Sequence, residues 1–140
     1  MPDFRGDKGI HECTYAFLPH MGTFSAGSVI QPAYLLNEKP MIVKGSLPME
    51  SFLEVGTDHV IVETVKPLEQ KENSAPERGF ILRLYEAEGA EDTVVLRFGI
   101  PVKGLAVTNM LEEVQKEHEA AQQMTLHFRP FEIKTIKVSY

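Results

Sequence analysis

The chain has 140 residues, 43% of them hydrophobic and 24% charged, and a formal net charge of −6 at pH 7. That length suits one domain around one buried core and is too short for a catalytic barrel with accessory domains. The composition excludes general disorder, and the acidic balance without a Lys/Arg block argues against nucleic acid or anionic membrane as a partner.

Cys13 is the single cysteine, so no internal disulfide can form and nothing requires an oxidising compartment. No run approaches the roughly 20 apolar residues that span a bilayer. The opening Met1-Pro2-Asp3-Phe4-Arg5 carries no apolar signal core, which makes the cytoplasm the expected location. Because the chain opens only a few residues before its first strand-like run, it reads as a piece of a longer polypeptide. A single domain over 1–140 is the expectation.

The first element is a strand over 10–18, entered by an Asp7/Gly9 turn and ended by Pro19-His20-Met21-Gly22. Alternation places His11, Cys13, Tyr15 and Phe17 on one face, and this more aromatic face is the expected core side. Cys13 then reads as a small core residue. Val29, Ala33 and Leu36 stand at helical spacing and predict at most one short helix, about 24–36, with an extended connection as the alternative.

Short strands are predicted over 41–44 and 51–55, divided by Gly45-Ser46-Leu47-Pro48. The β-branched run 59–67 predicts another, closed by Pro67, and 70–79 reads as an exposed loop. Phe80, Leu82 and Leu84 alternate with Arg83 and Tyr85, and Val94, Leu96 and Phe98 alternate with Val95 and Arg97. Joined by a turn over 88–92, these two runs predict a β-hairpin.

A strand is expected over 105–111. The polar stretch 112–123 lacks an apolar stripe and reads as a loop or frayed turn. Two strands close the chain: one alternates at Met124, Leu126 and Phe128, while the run 131–138 shifts apolar parity between Ile133 and Ile136. A bulge, or burial of both faces, accounts for that shift. Many short strands with little helix define an all-β fold, an antiparallel β-sandwich.

Chemistry-bearing residues are sparse. His11 and Glu12 are strand neighbours that face opposite sides, and the spacing from His11 to His20 fits no helical metal pair, so a structural histidine is the favoured reading. His59, His118 and His127 fall on polar faces or in loops and read as solvated. Asp7 precedes Gly9 as turn-formers do, which favours a backbone-bonding role over a catalytic one. Arg83 and Glu86 have opposite strand parity beside a buried row, where a charge reads as a solvated or salt-bridged edge. No nucleophile elbow and no phosphate-binding glycine loop is present in the sequence.

The run Asp7-x-Gly9-x-His11 followed by Tyr15-Ala16-Phe17-Leu18-Pro19-His20-x-Gly22 resembles the C-terminal β region of family 38 glycoside hydrolases, the retaining α-mannosidases. Further similarity follows in the family's order. It is carried by Ala33-Tyr34-Leu35-Leu36-Asn37 with Pro40, Thr64-x-Lys66-x-x-Glu69, Arg83-x-Tyr85-Glu86 with Gly89, Asn109-x-Leu111-Glu112, and Phe131-Glu132-Ile133-x-Thr135-x-Lys137. Cys13 stands where an aromatic is usual in the family, and Phe17 where Leu is common.

The resemblance implies a parent enzyme that hydrolyses terminal α-mannosidic bonds with retention, using zinc and an aspartate nucleophile in an N-terminal catalytic domain. On that basis this chain carries no catalytic, cofactor-binding or metal residue of its own, and zinc belongs to the parent's catalytic domain. The implied partners are that catalytic domain and, through the parent, an α-mannoside; self-association stays open. Asp7, His11, His20, Arg83 and Glu86 are the expected domain-interface or cleft residues. Two other functions compete. A free-standing carbohydrate-binding module is weakened by the absence of Trp, and a small hydrolase using His11, Glu12 and His20 is disfavoured by strand geometry.

Overall fold

The structure is a computed structural model that describes residues 6, 8–24, 29–38, 40–46, 50–70 and 76–140. It divides into two compact units, Met1–Lys44 and Gly45–Tyr140.

In the first unit the described residues form a single helix, α1 (Ile30–Asn37). Pro32 falls in its first turn, where the missing N–H would be unpaired anyway. The far end is closed by Asn37 Nδ2 donating to the Ala33 carbonyl at 2.8 Å and by the Glu38 N–H donating to Tyr34 O at 2.7 Å. The short helix is therefore present within the expected range.

The strand expected over 10–18 is not formed. No residue from 10 to 20 joins a ladder, and Tyr15 and Phe17, meant for the core, are 92% and 89% exposed. Cys13 is exposed as well, which overturns its reading as a core residue. Alternation alone does not make a strand, because the extended backbone needs a neighbouring edge to satisfy its N–H and C=O groups. The same correction applies to 41–44, where Met41, Ile42 and Val43 are exposed and unpaired by any strand.

The second unit holds the sandwich. Its strands are β1 (Leu53–Val55), β2 (Val60–Pro67), β3 (Gly79–Glu86), β4 (Asp92–Phe98), β5 (Gly104–Thr108), β6 (Val114–His118), β7 (Gln123–Phe128) and β8 (Ile133–Ser139). One sheet has the order β1-β4-β7 and the other β2-β3-β8-β5-β6, with every pairing antiparallel.

The expected β3–β4 hairpin is absent: β3 pairs with β2 and β8, whereas β4 lies in the opposite sheet between β1 and β7. Each run has the right alternation, but alternation reports which face is buried and not which strand lies alongside. The 87–91 turn crosses between layers instead. A polar stretch expected as loop contains β6, an edge strand whose side chains stay mostly exposed and so leave no apolar pattern to read.

Between the layers, Phe80, Leu82, Leu84, Ile136 and Val138 of the larger sheet meet Val94, Leu96, Phe98, Met124, Leu126 and Phe128 of the smaller one. The period of two places each of these rows on one face. Phe128, Leu82, Leu84 and Leu96 are fully enclosed, and each such side chain contributes about 2 kcal/mol relative to exposure. Strand β8 is buried on both faces, with Thr135 and Ile136 side by side in the interior, and pairs with β3 without a register shift. Burial of both faces thus explains its parity change. The bulge lies in β2, between Val62 and Thr64.

Candidate functional site

The motif residues gather at two places on the sandwich. The first is a corner built around Glu86. Phe80, Leu82 and Leu84 point inward along β3, and the same parity carries Glu86 inward at its end, where it is 0% exposed. A buried carboxylate is unfavourable unless donors surround it. Here the N–H groups of Glu88 and Gly89 each donate at 2.8 Å, and the Phe131 N–H donates at 2.9 Å.

Burial pushes the Glu86 carboxyl up, but N–H donation from Phe131, Glu88, Ala90 and Gly89 outweighs it and holds the pKa below the ordinary value. One side chain thereby joins the 87–91 turn to the turn before β8. The backbone reinforces this, since the Glu86 N–H donates to Glu132 O at 3.0 Å. Gly89 has φ 76°, a left-handed conformation that favours glycine, and a Cβ there would lie 2.6 Å from the tip of the exposed Phe131 ring, which would have to shift.

Glu132 organises the adjoining turn. Its Oε2 accepts from the Arg129 N–H at 2.9 Å, and its Oε1 meets Arg129 and Lys134 nitrogens, each at 3.1 Å. The Arg129 N–H bond is the main cause, with Lys134 adding to it against burial, that holds the Glu132 carboxyl down to about 2. Nearby, His59 lies between Glu88 and Asp92 at 3.4 and 3.6 Å, and His127 meets Glu91 at 3.0 Å.

The second place is the outer face of the larger sheet. Register sets Arg83 opposite Thr135, and the Arg83 side chain donates to Thr135 Oγ1 at 3.4 Å and to Met110 O at 3.3 Å. Met110 belongs to the turn between β5 and β6, which Asn109 shapes. Asn109 Oδ1 accepts from the N–H groups of Leu111 and Glu113 at 2.9 and 3.0 Å, and Glu112 follows with φ 67°. Lys66 on β2 meets Glu112 at 2.6 Å and Thr135 Oγ1 on β8 lies 3.9 Å from Met110 Sδ, so with Arg83 three strands hold that turn down.

A cleft of about 310 Å³ lies beside β5, β6 and β8, lined in part by Glu77, Lys103, Glu117, His118, Lys137 and Ser139. Glu77 accepts from Lys137 at 2.8 Å and from Ser139 at 2.7 Å. His118 Nε2 is buried without a hydrogen-bond partner, contrary to its reading as a solvated residue. No Phe, Tyr or Trp lines the cleft.

Of the expected interface residues, Asp7 lies outside the described residues. His11 is exposed, and His20 is exposed with its Nδ1 3.4 Å from Met21 O. Arg83 and Glu86 belong to separate places: Arg83 to the outer face and Glu86 to the interior corner. Sequence reading missed the turn-holding roles of Glu132 and Asn109. For Glu86 a signal existed, because it shares parity with the buried Leu82 and Leu84. Among the described residues no group of three or more His, Cys, Asp or Glu could hold a metal ion.

Fold and site together define a β-sandwich module whose characteristic polar residues hold its own turns. The chain belongs to the glycosyl hydrolases family 38 C-terminal beta sandwich domain family, whose model matches residues 59–136. It is 34% identical to alpha-mannosidase 2C1 of Homo sapiens and 32% identical to that of Mus musculus, each over 96% of this chain. It is 26% identical to an alpha-mannosidase of Saccharomyces cerevisiae over 99% of its length. The chain spans only 13% of the human and mouse relatives and 15% of the yeast one. No solved structure gives a significant match.

Proposed function

We propose that the chain is the noncatalytic C-terminal domain of a retaining, zinc-dependent α-mannosidase, packed against the catalytic domain and shaping one side of the substrate cleft. The reading rests on kinship with alpha-mannosidases over a small share of their length. Retaining cleavage needs a nucleophile and a general acid about 5 Å apart across the glycosidic bond. A general acid needs a raised pKa, whereas Glu86 and Glu132 are both held low and bound within the fold.

The described residues do not fit a zinc site, and no reaction step is assigned to zinc in this chain. Its contribution is geometric. Placing reacting groups accurately is worth many powers of ten in rate, and a rigid sandwich held at its corners can brace catalytic loops. Asp7, His11, His20 and Arg83 face the catalytic domain on this reading, while Glu86 acts through the turns it holds.

A free-standing carbohydrate-binding module would want an aromatic platform, and the cleft supplies none. The deciding experiment supplies zinc and an aryl α-mannoside to the chain alone, to the separately produced catalytic region, and to both together. The expected result is no turnover by the chain and activity of the catalytic region raised at least about tenfold on mixing. Enzyme-like turnover by the chain alone would overturn the reading.

A further inference from the structure

We propose that residues 10–18 are a strand for export: they add to an unpaired sheet edge in the rest of the parent mannosidase, with Cys13, Tyr15 and Phe17 against that partner's apolar face. This rests on the proposed function and names the segment that makes the contact.

Three observations carry it. The sequence alternates like a half-buried strand for nine residues, a usual strand length. Gly9 at φ 139° and Gly22 at φ 80° bracket the segment with backbone that turns, and Pro19 lacks a ladder donor. Yet among the described residues the segment joins no ladder, and Ile10, Tyr15 and Phe17 are 94%, 92% and 89% exposed. A pattern fit for burial on one face has no partner within the described chain.

The occupant follows from size and charge. The human relative is aligned over 96% of this chain, so the similarity extends into this segment, while 87% of that relative lies outside the alignment. On the proposed function, the receiving edge belongs to that larger remainder. A second copy of this chain, with its net charge of −6, would bring like charge to the contact. In strand addition the main chain supplies hydrogen bonds and alternate side chains fill pockets on the receiving sheet.

Hydrogen exchange on peptides covering 10–20 tests this. In the complete parent polypeptide, exchange should be at least about 100-fold slower than in the 140-residue chain alone. Thr14→Pro and Tyr15→Pro remove neighbouring ladder donors in a segment outside the sandwich. At least one should weaken association with the catalytic region about tenfold or more while leaving the thermal transition of the sandwich unchanged.

Association with rapid exchange over 10–18 would overturn the strand and leave the proposed function standing. Failure of the two parts to associate would overturn both. Protection in the chain alone, rising with its concentration, would make a second copy the occupant and also overturn the proposal.

Discussion

Glu86 and Phe131 are 45 residues apart in sequence, yet the Phe131 N–H donates to Glu86 Oε2 at 2.9 Å inside the sandwich corner. That bond ties the end of β3 to the turn before β8. It also makes a buried charge tolerable, because the same carboxylate accepts from Glu88 and Gly89.

Glu86→Gln should therefore destabilise the sandwich strongly. The amide replaces one acceptor with a donor group and turns it toward N–H donors. A loss of about 2–4 kcal/mol is expected in urea unfolding followed by circular dichroism. A change below about 0.5 kcal/mol would mean that the corner does not depend on the charge.

Stability should fall in acid through Glu86 and Glu132. Both folded-state pKa values lie below the ordinary 4.5, Glu132 at about 2. For a carboxylate lowered on folding, the contribution is complete above the unfolded-state value and is lost as pH falls through the folded one. Urea midpoints should thus hold above about pH 5 and decline from there toward pH 2. Glu132→Gln should flatten that decline as well as lower the midpoint at neutral pH.

Gly89→Ala combines two penalties, a left-handed φ and a Cβ set against the Phe131 ring. The expected cost is about 1–3 kcal/mol. Adding Phe131→Ala should recover the part due to the ring and leave the backbone part. Full additivity of the two substitutions in a double-mutant cycle would show that the contact carries no energy.

At the β5–β6 turn, Asn109→Ala should cost more than Glu112→Gln. Asn109 satisfies two backbone N–H groups, worth about 1–2 kcal/mol together. The Lys66–Glu112 pair is partly exposed at its Lys66 end and should contribute under about 1 kcal/mol. Thermal melts of the two variants in parallel give the order directly.

Arg83→Glu tests the outer face. It removes donation to Met110 O and Thr135 and reverses a charge. The sandwich should lose about 1 kcal/mol, and activity of the complete parent enzyme should fall if this face meets the catalytic domain. No change in either measurement would remove Arg83 from the interface.

Much of the fold was legible along the chain, and the failures have distinct causes. The rows Phe80–Leu82–Leu84 and Met124–Leu126–Phe128 announced their buried face through period-two alternation, most cleanly in β7, where every second residue is exposed. Strand β6 gave no such announcement, since both of its faces are largely wet. The site was less legible. Glu86 shared parity with the core row, but its donors come from turns that only folding brings together.

The sequence by itself determined the all-β class, the inward rows and the family resemblance, because periodicity and motif order are local properties of the chain. Tertiary structure decided the rest. It placed β3 and β4 in opposite sheets and enclosed the Glu86 carboxylate among amides from two turns. It also left 10–18 exposed and outside any ladder. The physical reason is the same each time: a strand's neighbour and a buried charge's donors are distant in sequence, so nothing in the local pattern names them.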